Sequence, residues 1–105
     1  MSILIERQEL LELFDTETIH EAYGCVYEYA RNYEQYTLYL FNEVLADCGS
    51  ICLKDRDTNT IIFELFFHPN EKVTLIDNTV RIYTAKKALR ATVTLKPMAS
   101  LDCTL

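Results

Sequence analysis

A chain of 105 residues, 50% hydrophobic and 25% charged, has the apolar content of a single globular domain over residues 1–105, and its two glycines and two prolines leave no room for a flexible linker. A net charge of −6 excludes the basic field that a direct nucleic-acid binder needs to displace counterions from phosphates. The charge is unevenly spread: Glu6, Glu9, Glu12, Asp15, Glu17, Glu21, Glu28 and Glu34 outweigh Arg7 and Arg31 over residues 1–35 and account for all of it. Lys72, Arg81, Lys86, Lys87, Arg90 and Lys96 make the far end locally basic. An acidic surface of this kind favours a protein partner that is itself basic.

Met1-Ser2-Ile3-Leu4-Ile5 runs straight into Glu6 and Arg7, without the basic start and long apolar centre of a signal peptide, and no apolar run approaches a membrane span. A cytoplasmic protein without membrane contact is therefore expected. In that reducing setting its four cysteines are expected as small buried thiols and not as disulfides.

Over residues 3–14, Ile3, Arg7, Leu10, Leu11 and Phe14 recur at three- and four-residue steps with Ser2 as cap, which predicts a short amphipathic helix; Ile5 falls off that face. Thr18-Ile19-His20-Glu21 has the form of a capping box, and Ile19, Ala22, Tyr23, Val26, Ala30 and Tyr33 follow on one helical stripe, so a second helix is predicted over 18–34. Two features oppose it: Gly24 costs about 1 kcal/mol relative to Ala, and residues 23–29 can alternate as a strand.

After Gln35 the period becomes alternating. Strands are expected over 36–41, extending through Val44 and Leu45, then over 51–54, 60–67, 73–76, 80–84 and 89–95, with turns at 47–50, 55–59 and 68–71 and a two-residue hairpin at Asp77-Asn78. Residues 60–67 are apolar on both alternating faces except at Glu64, the pattern of a central strand covered on both sides. A buried ionised carboxylate is costly, so Glu64 must pair with a base or lie where the cover ends. Together these elements predict an α+β fold: one or two N-terminal helices packed on an antiparallel meander sheet of about six short strands. The last three strands carry Thr and charged residues on one face, whereas the earlier ones carry Tyr and Phe on both, so an aromatic surface left uncovered at that end would be a contact surface.

Candidate chemistry is sparse. Cys48 and Cys52 are spaced one residue too far apart for the usual redox pair, and Cys25, Cys103, His20 and His68 are scattered singly, so the expectation is unpaired thiols around a turn, with no metal. Asp55-Arg56-Asp57-Thr58-Asn59 begins like a calcium loop but has Thr60 where glycine is needed and Phe66 where a bidentate Glu is needed, so it reads as a turn. Glu64 and His68 share a face, yet four residues along a strand separate them by about 13 Å. No nucleophile with a base, no phosphate loop and no carboxylate pair stands out, so no catalytic residue, enzymatic activity or cofactor is expected.

Tyrosine is the remaining signal, with Tyr23, Tyr27, Tyr29, Tyr33, Tyr36 and Tyr39 in one stretch. Tyr27 and Tyr29 flank the predicted helical stripe beside Glu28, where aromatic rings with polar tips serve either to seal the helix–sheet border or to contact a partner. The leading expectation is a non-enzymatic protein-binding or regulatory module holding a basic protein through Glu12, Glu21, Tyr27, Glu28 and Tyr29; homodimerisation through the same area or an open sheet edge belongs to this class. The alternatives are a small-ligand or metal-binding domain with its pocket between helix and sheet, and an acidic inhibitor imitating nucleic acid.

Overall fold

Alternation, not helical period, governs this chain from Thr16 onward. The computed structural model describes residues 2–3, 5–21, 26–43 and 48–103. In order they form β1 (Ser2–Ile3), α1 (Arg7–Leu13), β2 (Thr16–His20), β3 (Val26–Asn32), β4 (Tyr36–Glu43), β5 (Cys48–Asp55), β6 (Ile61–Phe67), β7 (Lys72–Ile76), β8 (Thr79–Tyr83), β9 (Leu89–Thr94) and β10 (Ser100–Cys103). β2 to β6 make one antiparallel sheet in sequence order; β7 to β10 make a second, with the two-residue β1 lying parallel beside β7. The expected α+β fold is thus corrected to a mostly β fold of two meanders with one short helix. No helix among the described residues is long and apolar enough to cross a membrane.

The largest correction falls on residues 18–34. Within that span the structure shows no helix among the described residues but the strands β2 and β3, with Thr16 to His20 paired antiparallel against Val26 to Ala30. Both periods fit these residues, but Thr, Ile, Val and Tyr dominate them, and β-branched and aromatic side chains favour the pleat. Tyr27, Tyr29 and Arg31 take the inner side, so the residues read as a border of a helical stripe lie toward the core of a sandwich. Tyr23, Cys25, Val44 and Leu45 lie outside the described residues.

The helix at 3–14 is likewise shorter than expected. Ser2 and Ile3 belong to β1, and α1 starts only after Glu6, whose amide donates to the Glu9 carboxylate at 3.3 Å. Its buried face is Leu10 and Leu13, completed by Ile5 before the helix and Phe14 after it, while Leu11 is exposed. Ile5 misses the helical stripe because it precedes the helix. Among the described residues α1 and its flanks are hydrogen-bonded to the first sheet at its β2–β3 side: Arg31 Nη1 donates to the Leu13 carbonyl at 2.7 Å, the Asn32 amide to Asp15 at 2.6 Å, and Arg7 donates through both Nε and Nη2 to the Glu17 carboxylate, whose Oε2 also accepts from the Tyr29 hydroxyl at 2.7 Å.

Both sheets contribute to a single core. Tyr29, Leu38, Leu40, Ile51, Leu53 and Phe67 from the first meet Val73, Val80, Ile82, Ala91, Val93 and Leu95 from the second. The far face of the second sheet carries Thr74, Arg81, Thr92 and Thr94, all partly buried, together with the exposed Ile76. Its β7–β8 hairpin closes on Asp77 and Asn78, both at positive φ (49° and 62°), the conformation a two-residue turn of this kind demands and Asp and Asn tolerate.

The chain returns from the first sheet to the second between β6 and β7, at His68-Pro69-Asn70-Glu71, and here the structure buries an ion pair. Glu71 is 4% exposed; its carboxylate accepts from Arg90 Nε at 2.7 Å, from Arg90 Nη2 at 2.9 Å and from the His68 amide at 2.6 Å. Arg90 Nη2 also donates to the Phe66 carbonyl at 2.8 Å. The register shifts between Ile82 and Tyr83, whose partners are Ala91 and Leu89, so Arg90 is the extra residue of a bulge that turns its side chain toward this crossing.

Removing one member of a buried, hydrogen-bonded pair strands the other's charge, so Arg90→Ala and Glu71→Ala are each expected to lower the unfolding free energy by about 3–5 kcal/mol in urea titrations. A loss below about 1 kcal/mol would mark the pair as incidental. The second expectation concerns acid. Arg7, hydrogen-bonded to Glu17, and then the Tyr29 hydroxyl hold Glu17 below its ordinary carboxylate range, a depression confined to the folded state. Its contribution is in place above about pH 4.3 and is lost as pH falls through the folded value. Glu17→Gln is therefore expected to flatten part of the acid limb of the stability–pH curve. The residual slope has a further source in Asp55, whose carboxylate the Thr58 and Asp57 amides lower in the same direction.

Candidate functional site

The two faces of the first sheet are set by register. Across β3, β4, β5 and β6, one outer row runs Glu28, Phe41, Ser50, Phe66 and the next Ala30, Tyr39, Cys52, Glu64. No helix crosses this face among the described residues, because α1 is seven residues long and is fastened at the β2–β3 side. Tyr39 and Phe41 stack on it with ring centroids 5.9 Å apart, and the Lys54 ammonium sits 5.6 Å from the Tyr39 ring. Ser50 and Cys52 between them are small and buried, so the aromatics of β4 and Phe66 of β6 stand up on either side of a shallow groove along β5. At the Phe41–Phe66 end this groove holds about 330 Å³, with Glu43, Cys48 and Ser50 also lining it.

β6 is the edge of this sheet, not its centre as expected: β5 flanks it on one side and no described strand pairs with the other. A register shift leaves Ile62 without a partner on β5 and sets Ile61 opposite Lys54, bringing both to the outer side. Ile61, Ile62 and Phe66 are 49%, 50% and 59% exposed. Glu64 is exposed among them, opposite Cys52, where cover is missing. Apolarity on both faces of 60–67 therefore does not mark a strand covered on both sides: the outer side chains Ile62 and Phe66 are exposed.

Acidic side chains border this apolar area. Glu28, Glu43 and Glu64 belong to the outer face against Lys54 and His20, and His20 lies 3.9 Å from Glu28. Of the residues expected to form the partner surface, only Glu28 is on this face. Tyr27 and Tyr29 point to the inner side, Tyr29 being 4% exposed and bonded to Glu17; Glu12 is exposed on α1 and Glu21 is exposed just past β2. The structure does not gather these five into one surface. Tyr39, Phe41, Ile62 and Phe66 were not singled out by sequence, although aromatic residues on both faces of the early strands carried the signal.

The other sequence features resolve into structure. Cys48 and Cys52 lie on one face of β5 and not around a turn, with Cys48 and Ser50 paired into the strand; at four residues' separation they are about 13 Å apart, beyond any shared bond. The Cys48 thiol donates to Glu43 at 3.1 Å. Asp55 Oδ1 accepts from the Asp57 and Thr58 amides at 2.9 and 3.1 Å, a side-chain-closed turn. Among the described residues no three His, Cys, Asp or Glu side chains are placed to share an ion. Between α1 and the sheet there is a recess of about 270 Å³ lined by Ile5, Leu10, Tyr27, Tyr29 and Asn42, with Arg7 at it already engaged by Glu17. Comparison with family models, curated proteins and solved structures finds no match.

The outer groove has a thiol signature. Cys52 is fully buried in its floor, and burial, reinforced by the Glu64 carboxylate, pushes its thiol up and keeps it protonated, whereas Cys103 on β10 is exposed. Iodoacetamide at neutral pH is expected to alkylate Cys103 in the native protein and Cys52 only on unfolding, read by peptide mass spectrometry. Native labelling of Cys52 at the Cys103 rate would show the floor to be open.

Proposed function

We propose that this chain is a non-enzymatic protein-binding module whose contact surface is the outer face of β4, β5 and β6. The supporting observation is the concentration of exposed apolar side chains there: Ile61, Ile62 and Phe66 on one edge strand, continuous with the Tyr39–Phe41 stack, against Ile76 alone among the exposed large apolar side chains described on the outer face of the second sheet. Apolar surface of this extent on a single face is costly to leave wet and is characteristic of contact sites. The acidic side chains around it, Glu28, Glu43 and Glu64, fit a partner that brings basic residues to the border of an apolar anchor.

The test is a pull-down from the native host, identification of the captured protein, and titration of that purified protein. Phe66→Ser combined with Ile62→Ser is expected to weaken binding by about tenfold or more, with unchanged circular dichroism and urea midpoint, because both side chains are solvent-exposed in the free chain. The wild-type affinity should fall as salt rises. Unchanged affinity in the double variant would remove this face from the contact.

A further inference from the structure

Resting on the protein-binding reading, we infer that the partner binds by adding a strand to β6, and that the added segment carries a basic residue between two apolar ones at alternate positions. An edge strand presents unpaired amide and carbonyl groups, and an extended segment pairs with them without any pocket being needed. On β6 the Phe66 carbonyl is taken by Arg90, which leaves the edge open from Ile61 to Leu65.

Side chains then choose the sequence. A strand laid against β6 sets its alternate residues beside Ile62, Glu64 and Phe66 on the outer face, and the pairings that gain there are apolar, basic, apolar. Its intervening residues fall beside Phe63 and Leu65, both partly buried against the core, and these favour β-branched aliphatic groups.

The same geometry disfavours a second copy of the chain as the occupant. β6 pairing with its own copy in the register that matches Ile62 to Phe66 sets Glu64 directly against Glu64, two like charges in a cross-strand pair, between chains that each carry −6. Glu64 thus guards the edge against self-association and selects a cation.

The test uses the full chain and a blocked peptide, Thr-Ile-Val-Lys-Val-Ile-Thr, whose palindromic sequence pairs equally in either direction, with a Glu-centred version as control. The Lys-centred peptide is expected to shift the amide resonances of β6 and to bind about tenfold more tightly than the Glu-centred one, and Glu64→Lys is expected to reverse that order. Absence of shifts on β6, or an order unchanged by Glu64→Lys, overturns the inference; so does a concentration-dependent dimer in sedimentation whose interface is β6. If the peptides fail while Phe66→Ser with Ile62→Ser still weakens the captured protein, strand addition is wrong and the binding face stands. If neither responds, both readings fall.

Discussion

The buried pair of Glu71 and Arg90 is the constraint on which the two-sheet arrangement turns. Apart from the two-residue β1, which lies beside β7, each sheet is a local meander whose strands pair with their sequence neighbours, so hydrogen bonding within the meanders does not say how one lies on the other. That is set where the chain crosses between them. There the Glu71 carboxylate collects donors from the His68 amide and from Arg90, and Arg90 reaches on to the Phe66 carbonyl, so a single cation ties the end of β6, the crossing turn and β9 together. Two charges taken out of water are tolerated only with this degree of satisfaction, and the return is a fixed geometry.

A consequence of that fixation is the unequal treatment of the outer faces. The chain offers one helix of seven residues, fastened by Arg7, Asp15 and Arg31 to the β2–β3 side, and nothing described remains to cover β4 to β6. A sheet left bare for reasons of economy would be expected to carry mostly polar residues outside, as the second sheet does with Arg81, Thr92 and Thr94 beside a single exposed apolar side chain, Ile76, among the described residues. The first sheet instead carries Tyr39, Phe41, Ile62 and Phe66, and its open edge bears the two devices natural edges use against aggregation, a bulge and an outward charge. These are the features on which the proposed contact surface rests.

Much of the strand content was legible in the sequence, because Gly, Asn, Asp and Pro punctuate it: the turn at Asp55, the hairpin at Asp77-Asn78 and the strands they bound lie where alternation puts them. What failed was arbitration and cover. Residues 18–34 satisfy a helical stripe and an alternating pattern at once, and only tertiary pairing of Thr16 to His20 with Val26 to Ala30 decides between them. Ile61 to Phe67 announced two apolar faces, but sequence alone cannot tell a face covered by its own chain from one left for another. For the same reason the direction of the tyrosines was not legible: Tyr27 and Tyr29 go inward, and Tyr39 goes outward with Phe41.

The most direct test of the open edge is amide hydrogen exchange resolved by residue along Ile61 to Phe67. A strand bonded to β5 on one side alone exchanges with a period of two, slow amides alternating with fast ones. Alternation from Phe63 to Phe67, beyond the bulge at Ile61 and Ile62, is the expected result, and uniform slow exchange along the whole strand in the free monomer would show that both sides of β6 are already paired and would contradict the account.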